Sequence, residues 1–280
     1  MPYGLEAKVE ADLTAMMTGA NEMLREAGCA LVGGHTSEGA ELSLGFAVNG
    51  LIARERVLRK GGLEPGDVLV LTKPVGTGTL LAADMRGKAK ARWVMAAITH
   101  MIASNQRASA ILQAHGAHAA TDVTGFGLLG HLVEMVRSSS VDAAIDLMSV
   151  PLLDGVRETM EMGIFSSLQP QNVRLRRAIR NIEEAGRHPL YPALFDPQTA
   201  GGLLAAVPAN KADGCIAALR AAGYPTATTI GIVAPRSEAL EPIVIRLDAL
   251  TTTGITAYDK SSLTLKPALE RTTREDQSVL

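Results

Sequence analysis

The sequence predicts a mixed α+β sandwich, on three observations. Apolar residues recur at helical spacing in some segments and alternate with polar ones in others. The two kinds interleave without a strict strand–helix–strand repeat, which argues against a doubly wound sheet. Composition adds that 47% of the 280 residues are hydrophobic but only 3% aromatic, so Ala, Leu, Val, Ile and Met must fill a sizeable core.

Segment 5–27 places Leu5, Val9, Leu13, Met16, Ala20, Met23 and Ala27 at steps of three and four, a helical stripe that Gly28 ends. Residues 29–32 read as a short buried strand broken by Gly33-Gly34. Leu42, Leu44, Phe46 and Val48 alternate with Ser43, Gly45, Ala47 and Asn49, which reads as a half-buried strand. One helix and two strands cannot close a core, so they dock on the remainder of the chain or are the tail of a domain whose front is absent. The charged stretch 54–64 is the expected boundary.

Beyond it come strand 68–72, helices 78–85 and 91–114, strand 117–121, a Gly-rich turn into helix 128–136, strand 141–147 and a helix after Pro151. A basic loop with Arg174, Arg176, Arg177 and Arg180 reads as a solvated face. Strand 202–207, helix 209–222 and strands 227–233 and 243–247 complete the pattern. The last thirty residues, rich in Thr and charge, read as a loosely attached tail.

Lys+Arg 27 against Asp+Glu 29 gives a net charge of −2, so no basic excess is available for nucleic acid or a membrane surface. No apolar run approaches the roughly 18 residues of a membrane span. The first residues lack the basic and apolar regions of a secretory signal. Cys29 and Cys215 are isolated, fitting neither a disulfide framework nor a zinc site, and a reducing cytoplasm is the expected location. Cys29, in an apolar stretch, reads as a core residue rather than a nucleophile.

Four polar segments could carry chemistry. Gly33-Gly34-His35-Thr36-Ser37 follows a predicted strand; paired glycines let backbone N–H groups approach a polyphosphate, though a plain polar loop fits equally. Thr121-Asp122-Val123-Thr124-Gly125-Phe126-Gly127 places a carboxylate at a strand end before a Gly-rich helix start. Asp122 can give oxygen to Mg²⁺ and the helix N-terminus can meet a phosphate, or Asp122 and Thr124 simply cap the helix. Phe195-Asp196-Pro197-Gln198-Thr199 reads as a structural turn. Lys73-Pro74-Val75-Gly76-Thr77-Gly78-Thr79 reads as a strand-to-helix turn, with a phosphate contact the other option. His100, His115, His118 and His131 show no paired metal-ligand spacing.

Taken together, residues 30–36, 71–78, 121–131 and 196–202 closely resemble the selenide, water dikinase family, within the PurM-like ATP-using enzymes. The resemblance implies a PurM-like fold and the reaction ATP + selenide + H₂O → selenophosphate + AMP + phosphate, run by a homodimer whose Mg²⁺ ions grip the triphosphate. It carries a Mg²⁺-binding role to Asp122. It carries nucleotide contacts to Gly33, Gly34, His35 and Thr36, a loop that the family shares with the partner subunit. The family's Gly-rich loop with a catalytic Cys (or selenocysteine) and Lys has no counterpart ahead of Met1, and Cys29 does not match that nucleophile. The expectation is therefore a partial N-terminal domain at 1–53, a full C-terminal domain at 54–248 and a tail at 249–280. Such a chain is expected to make little selenophosphate alone and to self-associate through its first part. A non-catalytic nucleotide-binding or dimerisation module, or a kinase of another small substrate, is the alternative.

Overall fold

The computed structural model describes residues 6–37, 39–40 and 42–247; the tail expected at 249–280 lies outside them. Two compact units divide at Val57/Leu58.

The first unit is built on helix α1 (Glu6–Glu26). Its C-terminus closes as the sequence suggests. Gly28 takes φ +66°, Cys29 N–H reaches the Leu24 carbonyl at 2.8 Å, and Gly28 N–H reaches that of Arg25 at 3.1 Å. This double bond pattern around a left-handed glycine satisfies carbonyls that the last turn leaves open. The half-buried stripe is Val9, Leu13, Met17, Ala20 and Leu24, whereas Met16 and Met23 of the predicted stripe are exposed.

The strands predicted at 29–32 and 42–48 do not form. Among the described residues, 27–53 hold neither helix nor strand, and Val32 is 95% exposed. Alternation alone makes a strand only where a neighbour completes its hydrogen-bonded ladder. Every ladder found lies in the second unit. Cys29 is half-buried rather than a core residue.

The second unit runs β1 (Asp67–Leu71), α2 (Thr77–Met85), α3 (Ala91–Ile102), α4 (Gln106–Ala114), β2 (Ala119–Asp122), α5 (Gly127–Ser139) and β3 (Asp142–Asp146). Short helices α6 (Val156–Glu161), α7 (Gln169–Asn172) and α8 (Ile182–Ala185) follow, then β4 (Leu203–Pro208), α9 (Ala209–Ala221), β5 (Thr228–Ala234) and β6 (Ile243–Arg246). The strands form one sheet in the order β2-β4-β1-β5-β3-β6. All neighbours are antiparallel except β3 and β6.

Side-chain alternation across the sheet feeds two cores. Leu69, Leu71, Leu204 and Ala206 join α5 (Leu128, Leu129, Leu132) on one face. Val70, Ala205 and Val207 join α4 and α9 (Leu112, Cys215, Leu219) on the other. With both faces covered, β1 is buried along its whole length, which is why its sequence reads as a continuous apolar run. A third cluster joins α2, α3 and α6 around Trp93.

The single helix expected over 91–114 is two. Ala103 leaves helical geometry at ψ 116°. The break is held from outside: Lys73 Nζ donates to the Ala103 carbonyl and Tyr224 O–H to that of Ser104 at 2.6 Å. Asn105 Nδ2 donates to the Gly201 carbonyl at 2.9 Å, and Ser104 Oγ accepts the Gln106 N–H. The basic loop is only partly a solvated face. Arg174, Arg176 and Arg177 are exposed, but Arg180 pairs with Asp142 at 2.9 Å and is only 20% exposed.

Candidate functional site

One rim of the sheet collects the polar motifs of the second unit. Thr72 N–H donates to the Leu203 carbonyl (3.0 Å) and Val123 N–H to that of Gly202 (2.8 Å), so the ends of β1 and β2 flank the start of β4. Only glycine fits this junction: a Cβ on Gly201 would lie 2.1 Å from the Val123 carbonyl oxygen.

Asp122, last in β2, is the exposed end of an otherwise buried strand. Beyond the Thr121 hydroxyl at 3.5 Å, no hydrogen bond from the described residues engages its carboxylate. Lys60 and Glu134 stand nearby, joined at 2.8 Å on the surface. That hydrogen bond, with the charges of Glu134 and Asp122, holds the Lys60 ammonium above the usual lysine pKa. His131, buried on α5, accepts the Thr124 N–H at Nε2 (3.0 Å). Burial, chiefly, keeps its pKa below the usual histidine value despite Asp122 and Glu134.

The start of α5 is not an open phosphate cradle. Leu128 and Leu129 are buried, and Gly127 presses on the backbone of Phe195 and Asp196. Nor is the start of α2. Gln198 Oε1 accepts from Gly76 N–H (3.0 Å), Thr77 N–H (3.2 Å) and the Thr77 hydroxyl, while Gly78 N–H goes to the Pro197 carbonyl at 3.1 Å. Gln198 Nε2 in turn donates to Asp196 Oδ2 at 2.9 Å. The Lys73–Thr79 and Phe195–Thr199 segments are thus a mutual latch, and the structural reading of both holds. Lys73, 3% exposed, spends its ammonium on the Ala103 and Ala200 carbonyls, and burial lowers its pKa.

Gly33, Gly34, His35 and Thr36 lie in the first unit, in an exposed stretch without helix or strand. A Cβ on either glycine would meet nothing within 4 Å, so packing does not demand glycine there. Sequence reasoning passed over Lys60 and Glu134. The spacing of His131 and Glu134 on one helix face was visible, but their tie to a lysine more than seventy residues earlier was not. Cys215 is core, its thiol pushed up to about 11 by burial.

Among the described residues, no three His, Cys, Asp or Glu side chains form a group that could hold a metal, and no helix is long and apolar enough to cross a membrane. A lone exposed carboxylate still suits Mg²⁺, which keeps most of its waters and is commonly held by one or two carboxylates plus substrate phosphates.

Residues 64–241 match the AIR synthase related protein C-terminal domain, and residues 2–52 its N-terminal domain. The chain belongs to the AIR synthase-related family. The PurM-like mixed α/β fold expected from the motifs is the one this family shares. Selenide, water dikinase of Pelobacter propionicus is 40% identical over 233 residues, covering 83% of this chain and 66% of that protein. The enzyme of the same name from Geobacter metallireducens is 38% identical, covering 81% and 66%. The chain spans between 55 and 66% of the length of such curated relatives. A solved structure of hydrogenase maturation protein HypE aligns at TM-score 0.49 and 21% identity over 67% of this chain and 51% of that one.

Proposed function

We propose that this chain serves ATP- and Mg²⁺-dependent synthesis of selenophosphate from selenide and water, with release of AMP and phosphate. The observation that carries the proposal is the Asp122 carboxylate, exposed at the sheet rim at the end of β2 and followed by a tethered loop, in a chain 40% identical to a selenide, water dikinase. Mg²⁺, when bound, neutralises the crowded phosphate charge and the charge that develops during transfer. Asp122 would supply one oxygen to it. Lys60 balances the local charge, and its ammonium, free of burial, can meet phosphate oxygens at the same rim. Gly33, Gly34, His35 and Thr36 are assigned the nucleotide, through backbone N–H groups, the Thr36 hydroxyl and the imidazole. The bounds 1–53, 54–248 and 249–280 are kept as the domain assignment, and the cytoplasm as the location.

A homodimer is part of the same proposal. Val32, Val48, Leu51 and Ile52 are exposed, an apolar load that a second copy would cover. Light scattering is expected to show a dimer, and a monodisperse monomer would count against it.

The test is calorimetric titration with a non-hydrolysable ATP analogue, with and without Mg²⁺, on the wild type and Asp122→Asn. Magnesium-dependent binding that Asp122→Asn loses supports the site. Phosphorus NMR then asks whether the chain turns ATP and selenide into selenophosphate and AMP. Binding without turnover favours a nucleotide-binding module. Binding indifferent to Mg²⁺ refutes the assignment of Asp122.

A further inference from the structure

His131 is 3% exposed, and its Nε2 lies 3.0 Å from the Thr124 backbone nitrogen and 3.2 Å from Thr124 Oγ1. A backbone N–H can only donate, so Nε2 must carry a lone pair. The ring proton then sits on Nδ1, which has no hydrogen-bond partner among the described residues and faces Glu134 Oε2 at 3.7 Å. Lys60 Nζ donates to the same Glu134 oxygen at 2.8 Å. Phe126 leans on the imidazole at a centroid distance of 5.7 Å, and Gly130 admits it: a Cβ there would lie 2.7 Å from Phe126 Cβ.

What it holds is the loop that follows Asp122. Val123 N–H is tied to Gly202, the Thr124 carbonyl accepts from Gly127 and Gln198 N–H (both 3.0 Å), and Asn172 Nδ2 donates to the Gly125 carbonyl at 2.8 Å. These bonds come from Gly202 just ahead of β4, the 195–199 turn, α7 and the backbone of the first residue of α5. The Thr124 amide is the one backbone donor of the turn tied to a side chain of α5, two residues from the exposed carboxylate.

We infer that His131 is a positioning residue for Asp122: a neutral imidazole protonated on Nδ1, it holds the Thr124 amide and so fixes the direction in which the Asp122 carboxylate leaves the sheet. The inference rests on the reading that Asp122 holds a metal ion. Groups that orient a metal ligand from behind are commonly worth tenfold or more in affinity. His131 would reach the metal through the backbone rather than by touching the ligand.

Two amide replacements separate positioning from packing. His131→Gln can set its Oε1 near the place of Nε2 and keep an acceptor for Thr124; His131→Asn sets its amide near Nδ1 and leaves the Thr124 donor unpartnered. Two readouts are taken on the full chain at pH 7. Ring ¹⁵N shifts of His131 report the tautomer, and electron paramagnetic resonance of Mn²⁺, titrated with a non-hydrolysable ATP analogue, reports affinity. The expected result is an Nδ1-protonated ring, a loss of about tenfold or more in His131→Asn, and a loss within about threefold in His131→Gln. An Nε2-protonated ring overturns the inference. So do equal losses in both variants, or wild-type affinity in His131→Asn where Asp122→Asn has lost the ion. Should Asp122→Asn bind Mn²⁺ as well as wild type, the metal reading fails, and the Asp122 carboxyl ¹³C shift decides the positioning. A resonance that moves in His131→Asn but not in His131→Gln upholds it; one that moves in neither overturns it.

Discussion

The Thr79 hydroxyl donates a 2.7 Å hydrogen bond to Asp196 Oδ1 across 117 residues of chain, at a carboxyl that is 1% exposed. Together with the Gln198 bond to Oδ2, it joins the first turn of α2 to the turn before β4. Burial, outweighing those bonds, pushes the Asp196 pKa up to about 6.

A carboxyl raised from 3.8 to about 6 binds its proton more tightly in the folded protein than in the unfolded chain. Its stabilisation is complete below pH 4 and is lost as pH rises through 6. At about 1.4 kcal/mol per unit the whole effect is at most about 3 kcal/mol. Asp142 runs the other way: despite burial, hydrogen bonds from Ser237, Arg180 and Arg236 hold it below the usual carboxylate value. Its stabilisation is present above pH 4 and lost as pH falls. Urea unfolding of Asp196→Asn and Asp142→Asn between pH 3 and 8 should therefore differ from wild type with opposite pH slopes. Parallel curves would refute the assignment.

Gln198→Ala removes the acceptor of three donors at the start of α2 and one donor to Asp196. Buried groups left unpaired cost about 1–3 kcal/mol each before relaxation, so a total of about 3 kcal/mol is expected in chemical denaturation. Gln198→Glu keeps the acceptor but sets a second carboxyl against Asp196, and its loss should be greater at pH 8 than at pH 5. Equal loss at both would show that the two groups are not in contact.

Gly76 takes φ +128°, and a Cβ there would lie 2.1 Å from Val156 Cγ2. Gly76→Ala is expected to lose about 2–4 kcal/mol, from the backbone strain and overpacking together. Adding Val156→Ala should recover the overpacking share and leave the strain. A double-mutant cycle with no coupling would disprove the contact.

If Asp122 holds a cation, the nearby Lys60 charge would oppose that binding and favour an anionic ligand. Lys60→Met should tighten free Mn²⁺ at low salt by about two- to fivefold and weaken the ATP analogue, both effects fading near 1 M salt. Looser Mn²⁺ binding in the variant would refute the placement of this charge.

The local structure around Asp122 was legible because strand ends and turns are set by a few residue types close in sequence. A carboxylate at the end of a buried strand, followed by Val-Thr-Gly-Phe-Gly, reads as a polar strand end before a helix, and Asp122 is that end. The glycine after α1 reads as its stop, and the bonds of Cys29 and Gly28 show it. The helix break at 103–105 was not legible. Neither Pro nor Gly marks it, and its partners, Lys73, Tyr224 and Gly201, are distant in sequence.

The sequence by itself determined the order of strands and helices in the second unit apart from the break at 103–105, and the family, since spacing and turn chemistry are local. Tertiary structure alone decided that segments 29–32 and 42–48 are not strands, since a ladder needs a second strand that no local pattern supplies. It also decided that the starts of α2 and α5 are closed to anions and which nitrogen of His131 bears the proton. Each of those depends on a partner brought close only when the sheet and its helices have packed.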